Sequence, residues 1–146
     1  MNRADLLRFL QQHRLGVLAT VSESGAPESA VVGIAVNSAL EIIFDTLSNT
    51  RKCANLRRNP NISFVIGWDK EITVQCEGIA DEPQGADLDS LKKDYFAVYP
   101  DGPQRESWPG ITYFRVRPHW ARYSDFNSPA QIIEFTEKEL NPPGRI

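Results

Sequence analysis

Six short runs rich in branched and aromatic residues, each bounded by turn signals, constrain this chain more than any other feature. They are "LGVLATV" (15–21), "ESAVVGIAV" (28–36), "LEIIFDT" (40–46), "NISFVIGW" (61–68), "ITVQCEGIADE" (72–82) and "ITYFRVRPHWARYSD" (111–125). Runs of this length and composition predict β-strands. Between the first two lies "SESG", where Gly25 can take positive φ without steric cost, and between the second and third lies the polar "NSA". Connections this short join antiparallel neighbours, so the first three runs predict a meander. In the fifth run Ile72, Val74 and Cys76 alternate with Thr73, Gln75 and Glu77, the pattern of a strand with one buried face. Pro118 in the sixth confines that run to an edge or a bulge at that point.

Helical spacing breaks the strand series in three places, at about 3–13, 50–59 and 86–97. The first carries Leu6, Leu7, Phe9 and Leu10, and the third carries Leu88, Leu91 and Tyr95. A proline- and glycine-rich loop, "YPDGPQRESWPG" (99–110), precedes the last strand, and the tail "NPPGRI" (141–146) is expected to fray. Six strands with peripheral helices predict a mainly β fold, an antiparallel barrel that is closed or nearly so, because closure removes the exposed edges of short strands. No linker or composition shift divides residues 1–146, so a single domain is expected.

The net charge of −3 argues against a general nucleic-acid-binding role, and no apolar run reaches the roughly 18 residues of a membrane span. The N-terminal stretch "MNRADLLRFLQQHRLG" does not read as a signal peptide, so a cytoplasmic protein with Cys53 and Cys76 as reduced thiols is expected. His13 and His119 stand in no metal-ligand spacing, and no metal is expected. Ser22, Ser24 and Ser29 lack the G-x-S-x-G elbow of a serine hydrolase.

The stretch "TLSNTRKCANLRRNP" (46–60) holds the functional signal. Ser48, Asn49 and Thr50 are helix-capping residues, and Asn59-Pro60 is a helix stop. Arg57 and Arg58 in the last turn suit the helix dipole, whereas Arg51 and Lys52 in the first turn oppose it at about 0.3–1 kcal/mol each. A bound anion reverses that balance, since a charged hydrogen bond returns about 1.5–3 kcal/mol and the first turn offers unpaired N–H groups. The alternative is that both side chains point into water. No G-x-G-x-x-G and no G-x-x-x-x-G-K-[ST] accompanies the helix, which counts against dinucleotide folds and P-loop hydrolysis.

The run "IIFDTLSNTRKCANLRRNPNISFVIGW" closely resembles the second cofactor motif of the pyridoxamine 5′-phosphate oxidase-like, FMN-binding split-barrel family. "LGVLATVSESGAPESA" is similar to the family's opening hairpin, "VQCEGIADE" to its fifth strand, and "YFRVRPHWARYSD" to the closing strand of its shorter members. The resemblance covers roughly residues 13 to 125 and implies a six-stranded antiparallel split β-barrel, Greek-key-like, that binds FMN. By the same resemblance Arg51 and Lys52 clamp the flavin phosphate, and Thr46 and Thr50 add hydroxyl contacts. Asp45 falls where the family often has an aromatic residue touching the flavin. Val31, Val32 and Gly33 lie on the strand that borders the ring, with no Arg or Lys there, so only backbone contacts are implied. Gln75 is a candidate to hydrogen-bond the ring edge or else a solvent-facing strand residue, and Trp108 to cap a flavin or else to anchor its loop.

The Arg-Leu-His substrate motif of the vitamin B6 oxidases is not present in the sequence. The resemblance therefore implies FMN and a homodimer with the flavin site at the subunit interface, and leaves the substrate open. The implied activity is hydride transfer between a small organic substrate and FMN, since the flavin ring itself accepts the hydride and no protein nucleophile is needed. No catalytic residue is assigned. A deazaflavin-dependent reductase on the same fold, or a non-catalytic flavin- or haem-binding protein for storage or stress, are the alternatives.

Overall fold

The structure, a computed structural model, describes residues 1–143. Among the described residues are eight strands, β1 (Leu15–Val21), β2 (Pro27–Gly33), β3 (Ala35–Val36), β4 (Ile42–Leu47), β5 (Asn61–Ile66), β6 (Ile72–Asp81), β7 (Ile111–Asp125) and β8 (Gln131–Phe135). The helices are α1 (Arg3–Gln11), α2 (Arg51–Arg58), α3 (Gly85–Val98), α4 (Gly102–Arg105) and α5 (Glu137–Leu140). Of the tail expected to fray, 144–146 lie outside the described residues, and 141–143 follow α5 directly.

All strand pairs are antiparallel, in the order β2-β1-β5-β6-β7-β4-β3. Only Ile34 separates β2 from β3, so the two ends of that order meet in one chain run and the sheet curls into a split barrel. The run "ESAVVGIAV" is thus two strands, not one. The break has a local cause: the Ile34 N–H donates to the Arg14 carbonyl, and its own carbonyl accepts from the Tyr99 hydroxyl at 3.0 Å. At this point the run leaves β1 and turns to pair with β4. The second departure from six strands is β8, which pairs with the end of β7.

β7 is the spine of the sheet. It pairs with β6 along one edge; along the other it pairs first with β4, as far as Val116, and then with β8 from Ala121. The register of β6 on β7 steps from Glu77↔Trp120 to Gly78↔Pro118, leaving His119 as an extra residue. This is the bulge that Pro118 requires in a paired strand, because proline has no N–H for the ladder.

Side chains of one sheet face fill the barrel. Phe44 stacks on Phe114 at 5.6 Å and meets Phe64 edge-on at 6.2 Å, with Leu6 and Leu10 of α1 closing one region of this core. Phe135 and Leu140, from β8 and α5, are buried in the same cluster. A second cluster forms where Leu91 and Tyr95 of α3 cover Ala35, Ile43 and Tyr113 on the outer face. α2 occupies the crossover from β4 to β5 and packs on β1, burying Cys53, Asn55 and Leu56. That position brings the first turn of α2 to the β1–β2 hairpin. Among the described residues no helix is long and apolar enough to cross a membrane.

Candidate functional site at the start of α2

β4 ends at Leu47, and the turn 48–50 delivers the chain into α2. Thr50 is the N-cap, its hydroxyl accepting from the Cys53 N–H at 3.4 Å and donating to the Leu47 carbonyl at 2.9 Å. The Thr46 and Thr50 hydroxyls also lie 2.9 Å apart. Both threonines are therefore engaged in holding the turn. The N–H groups of Arg51 and Lys52 have no intrahelical acceptor, as in any first turn, and among the described residues nothing else accepts from them.

Beside this turn a groove of about 410 Å³ is lined by Leu18, Thr20, Glu28, Ser29, Ala30, Asn49, Thr50, Arg51 and Lys52. Its volume falls in the range of small-molecule sites. The available donors are the Arg51 guanidinium, the Lys52 ammonium, the Asn49 amide and the two backbone N–H groups, a set suited to a phosphate. Arg51 and Glu28 form an ion pair at 2.8 Å, with Arg51 largely exposed and Glu28 largely covered. The other Glu28 oxygen accepts from Asn55 Nδ2 at 2.7 Å, and the same amide nitrogen lies 3.0 Å from the Thr20 hydroxyl. The Arg58 guanidinium donates to Asn55 Oδ1 at 3.1 Å. A buried polar network thus runs from β1 through α2 to the mouth of the groove.

Glu28 and Asn55 do not stand out in the sequence as site residues. Asn55 does leave a trace: a weak helix former in mid-helix, four residues after Arg51, needs a tertiary partner when it is buried. Glu28 leaves none, because a single carboxylate at a strand start is ordinary.

The remaining candidate residues are spread over the fold. Asp45 and Thr46 point to opposite faces of β4, as strand alternation demands. Thr46 sits beneath the α2 turn, while Asp45 lies on the α3 side, 3.3 Å from Arg105. There the phenols of Tyr95 and Tyr113 are pushed up, first by burial and then by the Asp45 carboxylate beside them. Val32 points into the core, whereas Val31, next to it on β2, is 62% exposed. Gly33 faces the Tyr99 hydroxyl, 3.1 Å from where a Cβ would stand. Gln75 is exposed on β6, opposite Val65 on one side and Arg122 on the other. Trp108 is 52% exposed, in a loop whose Gly110 carbonyl accepts from the Ser48 N–H at 2.8 Å. The loop that carries Trp108 is therefore tied to the turn that begins α2. The groove itself gathers Thr50, Arg51 and Lys52, with Thr46 under them.

Two other cavities differ from this groove in chemistry. One of about 460 Å³ is lined by Ile79, Asp81, Arg117, Pro118, His119, Glu137 and Asn141. A smaller one of about 230 Å³ lies between α3 and the start of β7 and includes Lys92, Glu106 and Tyr113. Both mix acids with bases, as the α2 groove does through Glu28. The first borders the start of α5 at Glu137 and the second the start of α3 at Gln84, but neither lining places two cations in the first turn of its helix, as Arg51 and Lys52 stand in α2.

Residues 3–125 match the family model described as pyridoxamine 5′-phosphate oxidase. The chain belongs to the pyridoxamine 5′-phosphate oxidase family. General stress protein 26 of Bacillus subtilis (strain 168) is 33% identical over 85 residues, which cover 56% of this chain and 55% of that protein. A pyridoxine/pyridoxamine 5′-phosphate oxidase of Burkholderia mallei (strain SAVP1) is 33% identical over 92 residues, covering 62% of this chain and 41% of that enzyme. The chain thus spans about half the length of the curated relatives it matches. Among solved structures, a heme binding protein from Mycobacterium smegmatis aligns with a TM-score of 0.82 at 16% identity, over 97% of this chain and 60% of that one. This likeness is one of fold: the family's antiparallel split barrel with peripheral helices is the architecture found here.

Proposed function

We propose that this chain is an FMN-binding flavoprotein, a cytoplasmic homodimer with the flavin at the subunit interface, that transfers hydride between a small organic substrate and FMN. One observation carries the reading: the start of α2 presents Arg51, Lys52 and two open N–H groups to a groove of suitable size. Arg51 and Lys52 bind the phosphate, and the Thr46–Thr50 pair holds the turn that aims them. Leu18 and Ala30 supply apolar wall to the groove, which favours a ligand with an aromatic body. When bound, FMN supplies the hydride-accepting ring, and the protein orients the substrate and excludes water. Val31 and Trp108, both largely exposed, are available to a second copy of the chain at such an interface. Family membership supports the cofactor, since one of the relatives it matches is a pyridoxine/pyridoxamine 5′-phosphate oxidase.

The test is a fluorescence titration of the apo protein with FMN, beside the double variant Arg51→Ala, Lys52→Ala. Wild type is expected to bind near micromolar or tighter, and the variant to lose about 2–4 kcal/mol. Equal binding by both proteins refutes the clamp, and no binding by wild type refutes the flavin reading.

A haem-binding protein is the second reading. It is favoured by His119 in the 460 Å³ cavity with Ile79, Pro118 and Arg117, and by the haem-binding fold neighbour. Asp81 and Glu137 in the same cavity oppose the propionates of a haem, which ranks this reading below FMN. A Soret band on titration with haemin, lost in His119→Ala, is the observation that reverses the ranking.

A further inference from the structure

We infer that Glu28 competes internally with the phosphate, occupying Arg51 in the ligand-free protein and lowering its affinity for phosphate-bearing ligands. This rests on the flavin reading above and concerns the same groove. The Arg51–Glu28 contact at 2.8 Å takes one guanidinium N–H that a phosphate would use. An exposed ion pair alone would exchange freely with solvent and ligand. Here the carboxylate is not free to leave. Its second oxygen is held by Asn55 at 2.7 Å, and Asn55 is itself buried and bonded to Thr20 and Arg58. Glu28 therefore stays on the groove wall when a ligand arrives.

The charges in the groove make the consequence specific. Arg51 and Lys52 contribute two positive charges and Glu28 one negative, so the lining carries a net charge of about +1 before a phosphate of about −2 enters. Two effects oppose each other. Glu28 orders the Arg51 side chain, which aids binding, and it competes for that side chain and repels the phosphate, which hinders binding. Arg51 is 78% exposed, so little order is gained by pairing it, and the repulsion acts inside a partly covered groove where screening is weaker. The hindrance is the larger effect.

Glu28→Gln is the test, because the amide keeps the shape and can still accept from Asn55 while carrying no charge. Flavin fluorescence is titrated with FMN and, separately, with riboflavin, which lacks the phosphate. Glu28→Gln is expected to bind FMN about five- to tenfold tighter than wild type and riboflavin equally, the size expected for removing one partly screened like charge. In an Arg51→Ala background the competition for Arg51 is gone and only the direct repulsion remains, so the gain is expected to be clearly smaller than in wild type. Unchanged or weaker FMN binding by Glu28→Gln overturns the inference. So does an equal gain for riboflavin, or a gain that is undiminished without Arg51. If neither wild type nor Glu28→Gln binds FMN, the flavin reading falls and this inference with it, an outcome distinct from its failing alone.

Discussion

The thiol of Cys76 lies on the inward face of β6, within the main core, and burial pushes its pKa up to about 12. An unfolded chain releases that proton near the ordinary value of 9.0. The folded state thus keeps a proton that the unfolded state loses, and the stabilisation this represents is complete below about pH 9. It is lost as pH rises from about 9 toward 12. Urea unfolding of wild type and Cys76→Ala from pH 8 to 11 measures it. At pH 8 the variant is expected to be less stable by roughly 1–2 kcal/mol, for the buried sulfur it lacks. That difference should narrow steadily above pH 9, and a gap that stays constant to pH 11 contradicts the assignment. The same scale governs the candidate site: two cations in the first turn of α2 mean little until Glu28 is seen to hold Arg51 and the buried amide of Asn55 to hold Glu28.

At the scale of elements, the bulge in β7 has a partner that only glycine can fill. A Cβ on Gly78 would stand 2.6 Å from the Arg117 carbonyl oxygen and 3.0 Å from Pro118 Cα, both backbone atoms with no side-chain freedom to yield. Gly78→Ala is therefore expected to cost about 2–3 kcal/mol, of the order of an overpacked core, read as a lowered denaturant midpoint at unchanged slope. A midpoint within a few tenths of a molar of wild type counts against the close approach. The bulge was legible in advance because Pro118 cannot donate to a ladder. So were the strands that follow period-two alternation, and α2, framed by Thr50 and Asn59-Pro60. The break at Ile34 was not legible, since its cause is the hydroxyl of Tyr99, 65 residues away. β8 escaped because three of its first four residues are exposed and its pairing partner is distant, so "QIIE" shows no alternation. α5 did leave a signal, the Thr136-x-x-Glu139 capping box, but a helix of four residues offers no periodicity to support it. Placing Asp45 and Thr46 on opposite faces required only alternation; the salt bridge to Arg105 required the fold.

On the scale of the whole molecule, the family match ends at 125, yet the core does not. Phe135 and Leu140 are buried at 2% and 1% exposure within the same cluster as Phe44 and Phe114. The segment that brings them there is tied where α5 ends. The Arg3 guanidinium donates to the Leu140 carbonyl at 2.8 Å, and the Asn141 amide donates to the Pro118 carbonyl at 2.9 Å, so α5 fastens the N-terminal helix to the bulge. β8 also covers the part of the β7 edge that β4 leaves unpaired, which would otherwise stand open to another chain. A chain shortened to residues 1–126 loses two large core side chains at about 2–4 kcal/mol each, together with a strand of ladder bonds. Against a total stability of about 5–15 kcal/mol, that is enough to leave a marginal fold. The shortened chain is expected to unfold at a much lower urea concentration than the full chain and to self-associate as it does so, both visible by circular dichroism and sedimentation. Unfolding at the full chain's midpoint, with no association, would mean that the barrel closes without its C-terminal plug. Phe135 and Leu140 would then be passengers of the core and not part of what holds it shut.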